Sequence, residues 1–225
     1  MLRIGLKSDI EKLTASLSAF NPDQLPYTIA RALTLTAKQA QAAVRGAMPD
    51  NFILRRKEFI ESGVLVEPAK KDKLTAIVWD RDDFMARQES GDDKIPIDGG
   101  RNLAIPLDAR PNPSSIIPEA LRPANLGRAV YTISKKGNLI TKRGTPNAAF
   151  RMVSNGNTYL AYRTPKGLKM MYLLIPAAHI TPRLHLADIT LRVVKDHFAQ
   201  NFRDAARVAM ETRIAGKYLT DKVDD

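Results

Sequence analysis

The chain of 225 residues contains no cysteine. That excludes disulfides, thiolate metal sites and cysteine nucleophiles, and it points to assembly in a reducing compartment. Aromatic residues make up only 6% of the sequence, so a core must lean on Leu, Ile, Val, Met and Ala. No stretch approaches the roughly 18 uninterrupted apolar residues that a membrane span requires. The opening Met1-Leu2-Arg3-Ile4-Gly5-Leu6-Lys7 lacks the apolar run of a signal peptide. The expectation is a soluble protein, made in the cytoplasm, with no membrane partner.

Recognisable catalytic patterns are also scarce. His179, His185 and His197 are the only histidines, and their spacing suits no common metal site. Asp80, Asp82 and Asp83 follow a strand-like run, but no second carboxylate pair supports them. The plainer reading is a solvated turn that caps the next helix. Gly99-Gly100 lacks the Lys-Ser/Thr tail of a phosphate loop, and neither Gly-x-Ser-x-Gly nor His-Glu-x-x-His occurs. The sequence therefore predicts no catalytic residue, no cofactor and no metal: a binding or structural protein, not an enzyme.

Positive charge is what the chain has in excess. The formal net charge is +11, which favours contact with polyanions or with an acidic neighbour. Four basic clusters fall at loops or hairpin tips: Arg55-Arg56-Lys57, Lys70-Lys71 with Lys73, Lys135-Lys136, and Lys142-Arg143. They are the candidate electrostatic contacts with a partner or with DNA. Their separation argues against one nucleic-acid recognition helix, and no aromatic residues alternate with them as in a stacking platform. Ordinary solvated loop charge is the competing reading.

Hydrophobic spacing lays out a single α+β domain over residues 1–225, an antiparallel meander packed by long N-terminal and C-terminal helices, with a loop-rich insertion. Within residues 1–50, Leu6, Ile10, Leu13, Leu17 and Phe20 predict a first helix over 6–20. Asn21-Pro22-Asp23-Gln24 then reads as the start of a second helix, with Asn21 as cap. Its stripe is Leu25, Ile29, Leu33, Ala37, Ala40, Val44 and Met48. Residues 63–107 carry strands at Gly63–Glu67 and Leu74–Trp79, a short helix near Asp82–Glu89 stopped by Gly91, and an extended run from Ile95 to Leu107. Pro111, Pro113, Pro118 and Pro123 make 108–128 an irregular surface insertion, ordered mainly by neighbouring chains.

Residues 129–184 read as the meander, turned at Lys136-Gly137-Asn138, Asn155-Gly156-Asn157 and Pro165-Lys166-Gly167. Leu168–Ile175 is apolar on both faces, which predicts a central strand with Leu173 and Ile175 nearly fully buried. A last helix over 185–216 carries Ile189, Val193, Val194, Phe198, Phe202, Ala206, Ala209 and Met210 on its apolar face, and Gly216 closes it.

Two stretches carry a resemblance. Phe84-Met85-Ala86-Arg87-Gln88-Glu89-Ser90-Gly91, followed by Arg101-Asn102-Leu103-Ala104-Ile105-Pro106, resembles a pattern of phage virion-morphogenesis and tail-completion proteins. Tyr159-Leu160-Ala161-Tyr162-Arg163, then Leu173-Leu174-Ile175-Pro176 and Ile180-Thr181-Pro182-Arg183-Leu184 before a long helix, is similar to the second half of the same families. Ala30-Arg31-Ala32-Leu33-Thr34-Leu35-Thr36-Ala37 is similar to the helix start of the minor tail protein Z family. Ser90 and Thr181 depart from the pattern, and 108–147 stands as an insertion.

The resemblance implies a structural virion protein at the head–tail junction or the top of the tail. It would act as a tail-completion or connector subunit in a ring of six copies or a multiple of six. Its partners would be copies of itself and neighbouring connector and tail proteins, with non-specific contact to packaged DNA. The runner-up is a basic DNA-binding accessory protein.

Overall fold

The helix stripe that starts at Leu25 is the best-specified element of the chain. In the computed structural model, α1 spans Leu25–Asn51 and buries Leu25, Ile29, Ala32, Leu33, Ala37, Ala40, Val44 and Met48. Their spacing puts one continuous face against the core. Three fully buried alanines (Ala32, Ala37 and Ala40) let neighbouring elements approach closely. The helix starts with Gln24 as its cap, without a side-chain hydrogen bond, and has proline in its first turn. Pro26 fills that role, while the predicted start at Asn21-Pro22 lies outside the described residues. These comprise residues 2–7, 24–97, 99–126, 131–133, 139–141, 149–164 and 167–220.

Residues beyond α1 continue as α2 (Lys57–Gly63), β2 (Val64–Glu67), β3 (Thr75–Asp80) and α3 (Asp83–Ser90). The short α2 has no counterpart in the hydrophobic spacing. β1 (Leu2–Lys7) pairs antiparallel with β3, from Leu2↔Asp80 to Lys7↔Thr75. Leu6 thus lies in a strand and does not begin a helix; the rest of the predicted first helix, 8–20, lies outside the described residues. The sheet order is β1-β3-β2. Every second residue of β3 is buried (Ala76, Val78 and Asp80), the period of a strand covered on one side. α1 lies on this sheet, and α4 (Leu186–Thr220) packs along α1. Val64, Ala76 and Val78 share one core with α1 and with Leu184, Leu186, Val193, Phe202 and Ala205. α4 runs past Gly216, so that glycine does not close it.

Polar groups tie this core together. Asn201 of α4 donates to Thr36 Oγ1 (2.9 Å) and to Gln39 Oε1 (2.7 Å), while Thr36 Oγ1 donates back to the Ala32 carbonyl (2.8 Å). A buried amide that must meet two partners admits one register between α1 and α4. Gln41 and Arg45 both donate to the Val64 carbonyl, fixing α1 on β2.

Contacts divide the chain into two compact units, residues 1–91 with 181–225, and 92–180. Both crossings lie beside one short antiparallel ribbon, β4 (Asp92–Lys94) with β11 (Ala178–Ile180). The second unit holds a sheet of order β5-β10-β9-β8: β5 is Leu103–Pro106, β8 Ala149–Ser154, β9 Asn157–Thr164 and β10 Gly167–Ile175. β6 (Tyr131–Ile133) and β7 (Leu139–Thr141) form a further antiparallel pair. The β8–β9 turn has Asn155 at φ +49° and Gly156 at φ +75°, the left-handed pair that a tight hairpin needs.

β10 is central, between β5 and β9, but Leu173 and Ile175 are only half-buried. A bulge between Met170 and Tyr172 breaks the alternation, and the fully buried residues are Met171 and Tyr172. Their cover is the proline-rich segment. It is irregular apart from a 3-10 turn at Glu119–Leu121. Ala109 and Leu126 are buried in the core with Met171 and Tyr172, and Ile117 and Leu121 pack against it. The Tyr172 hydroxyl donates to the Leu121 carbonyl at 2.6 Å, and burial pushes its pKa up from 10.0, keeping it a donor. The segment is therefore a strap packed against the core of its own unit.

Candidate contact site on helix α1

The basic clusters do not converge. Arg55 and Arg56 form the turn after α1, and Lys57 opens α2 with its ammonium 3.8 Å from Glu61. Lys135, Lys136, Lys142 and Arg143 lie outside the described residues. The Lys70–Lys73 turn closes on itself: Lys70 N donates to the Lys73 carbonyl (3.0 Å), and Lys73 N donates to that of Lys70 (3.1 Å). Lys73 also reaches Glu67 at 3.1 Å. Lys70 and Lys71 are left pointing elsewhere.

They border a groove. The Ala69 amide donates to Thr34 Oγ1 of α1 (3.1 Å), and this bond holds the β2–β3 connection against the helix. Between the two walls lies a groove of about 510 Å³. One wall is Pro68-Ala69-Lys70-Lys71; the other is the α1 stripe Tyr27, Ala30, Arg31, Thr34, Leu35 and Lys38. These helix positions recur three, four and seven residues apart, so they share a face away from the core stripe. Among the described residues, no carboxylate lines the groove. Arg31, Lys38, Lys70 and Lys71 are exposed and form no ion pair among the described residues. Tyr27 is 64% exposed and Leu35 42%.

Sequence reasoning found Lys70, Lys71 and Lys73 but missed Arg31 and Lys38. Only the fold unites them, since they are separated by more than thirty residues from the turn. The signal that was present is the i, i+4, i+7, i+11 series Tyr27, Arg31, Thr34, Lys38, a second stripe on a helix whose first stripe is core. Arg55–Lys57 lie too far off to join: from Lys38 to the end of α1 is about 20 Å of helix.

A second polar concentration is acidic, and it differs from the solvated turn that the sequence predicts. Asp80 is buried, accepts the Asp82 amide at Oδ1 (2.8 Å), and has no partner at Oδ2. Burial raises its pKa above 3.8, the Asp82 charge pushes the same way, and the amide bond and Arg81 oppose it. Gly63 admits the pair: a Cβ there would sit 2.9 Å from Asp82 Oδ2 and 3.2 Å from Asp80 Oδ1. Asp82 precedes α3 without a side-chain capping bond. Among the described residues no group of three or more His, Cys, Asp or Glu side chains is arranged for a metal.

The histidines also stand apart. His179 Nδ1 lies 2.9 Å from Asp93 Oδ1 on the exposed β4–β11 ribbon, while His185 Nδ1 is 3.9 Å from Asp188 and His197 is exposed on α4. No described helix is long and apolar enough to cross a membrane. No protein-family model matches the chain, and neither the curated proteins nor the solved structures contain a match to it.

Proposed function

We propose that the chain is a structural subunit of a phage particle, a tail-completion or head–tail joining protein that works in a ring of copies. What carries the reading is a joint between the two stretches of the phage-like pattern that lie about ninety residues apart. The Gln88 carbonyl accepts from the amides of Arg183 (2.7 Å) and Leu184 (2.9 Å). The Glu89 carboxylate accepts from Leu186 N (2.7 Å) and Ala187 N (2.9 Å), the first free amides of α4. The start of α4 thus takes a capping carboxylate from α3, which the helix dipole also favours. Likewise Leu103–Ile105 and Leu173–Ile175 pair in register, Ile105 opposite Leu173. The Gln-Glu and Leu-Ala-Ile-Pro motifs act as fold-defining joints, as parts of a scaffold do.

The mechanism is mechanical: each copy offers loops and charged edges to the next, and a head-to-tail interface closes into a ring when the rotation per subunit permits. Electron micrographs of particles made without this chain should show separated heads and tails or unfinished tails. Intact, infectious particles would overturn the reading. The second reading, a basic DNA-binding accessory protein, is favoured by the four cations of the α1 groove, which form no ion pair among the described residues. A steep loss of DNA affinity with rising salt would mark it.

A further inference from the structure

Cations alone would make the α1 groove a generic anion trap, but half of its lining is apolar. Tyr27 and Leu35 are exposed on the helix side, and Ala30, Pro68 and Ala69 complete the floor. From these we infer that the groove is a docking site for an acidic amphipathic helix of a partner protein. The inference does not depend on the ring reading, since it concerns the isolated chain.

The spacing suits that occupant. Arg31 and Lys38 are two helical turns apart on α1, about 10.5 Å, with Leu35 between them. A helix lying along α1 repeats that distance between acidic residues seven apart and places an apolar residue in the intervening turn. Lys70 and Lys71 meet carboxylates from the other wall. The wall itself is anchored by the Ala69–Thr34 bond and the closed Lys70–Lys73 turn, so little ordering is required on binding. Lys73 is engaged by Glu67 and takes no part.

A sugar–phosphate strand fits less well. It would satisfy the cations but leave Leu35, Ala30, Pro68 and Ala69 against polar groups, and among the described residues Tyr27 is the groove's one aromatic platform where strand binders use several. Exposed ion pairs contribute little affinity individually and mainly steer encounter. The apolar floor must therefore carry the selectivity, and this separates the protein partner from a bare polyanion.

Fluorescence anisotropy with the full chain tests this using three labelled probes. They are an Asp/Glu/Leu peptide of about four helical turns patterned at i, i+3, i+4 and i+7, its scrambled isomer, and an oligothymidylate of matching charge. The patterned peptide should bind in the micromolar range, and the scrambled peptide about tenfold or more weaker. Leu35→Asp and the pair Arg31→Ser with Lys70→Ser should each weaken the patterned peptide by about tenfold. Circular dichroism melts of both variants should match the parent, because all three positions are exposed. The inference is overturned if the patterned peptide fails to bind, if the scrambled peptide or the oligothymidylate binds as tightly, or if Leu35→Asp binds undiminished. Equal or tighter oligothymidylate binding would instead assign the groove to nucleic acid.

Discussion

The two units of the chain reach a core by different means. In residues 1–91 and 181–225 the core is made of repeating faces: the α1 stripe, every second residue of β3, and the inner side of α4. In residues 92–180 the fully buried apolar side chains around Met171 and Tyr172 are few, and half of that centre, Ala109 and Leu126, comes from a strap without repeating structure. Periodic faces bury area in proportion to their length. A strap buries only what its anchors reach, and between Ala109 and Leu126 most of its residues are exposed. The first unit should therefore be the more resistant to unfolding, and the second should depend on a few individual contacts.

The largest expected effect tests that directly. Ile29→Ala, at a position 1% exposed, should cost about 2–5 kcal/mol through lost transfer energy and a cavity. Leu173→Ala, at a half-buried site on the nominally central strand, should cost about 1–2 kcal/mol, because less area leaves water there. Urea midpoints of the two variants decide the matter, and equal costs would break the comparison.

Next in size is Asn201→Ala, at about 1–3 kcal/mol, since it leaves buried Thr36 and half-buried Gln39 without that donor. Thermal melts should record the loss; a variant as stable as the parent would show that the polar bridge does not set the helix pair's register. Tyr172→Phe should cost less, about 0.5–1.5 kcal/mol, by removing one hydrogen bond to Leu121. Its more telling readout is amide exchange. Asn125 and Leu126, whose amides donate to the Arg122 carbonyl, should exchange faster while α1 stays protected. An unchanged strap would mean that Ala109, Ile117 and Leu126 suffice to hold it.

The same contrast governs what the sequence discloses. α1, β2, β3, α3 and the Asn155–Gly156 hairpin were legible because periodicity or turn chemistry marks them locally. β1 was not, since Leu2, Ile4 and Leu6 give too short an alternation, and Leu6 also fits a helical series. The strap's course is legible from its prolines, but its role in the core is not, because Ala109 and Leu126 belong to no period. The bulge at Met171 moves burial from Leu173 to its neighbours, a shift that strand alternation cannot foresee. At the candidate site, Lys70 and Lys71 are visible as a cluster, whereas Arg31 and Lys38 join them only through the Ala69–Thr34 contact. A surface assembled by tertiary packing leaves little trace in linear charge.

The smallest effect expected concerns Asp80, a buried carboxylate of the better-packed unit. Asp80 is raised above its ordinary value of 3.8, chiefly by burial. The folded state therefore holds this proton more tightly than the unfolded chain does. Where that is so, stability falls as pH rises, because the ionised form is the one the fold disfavours. The contribution is fully present below about 3.8 and is lost as pH rises through the raised folded value. Other carboxylates titrate in the same range, so the parent's curve alone cannot isolate Asp80. Asp80→Asn can: it keeps an oxygen to accept the Asp82 amide, and it never ionises. The measured quantity is the difference in urea midpoint between the variant and the parent, followed from neutral pH downward. The variant should be the more stable at neutral pH, and its advantage should shrink as the parent's Asp80 takes up its proton. A difference that stays flat across that range would show that Asp80 is no harder to ionise in the fold than in the unfolded chain. The opposite trend, an advantage that grows on acidification, would mean that the Asp82 amide outweighs burial at this site.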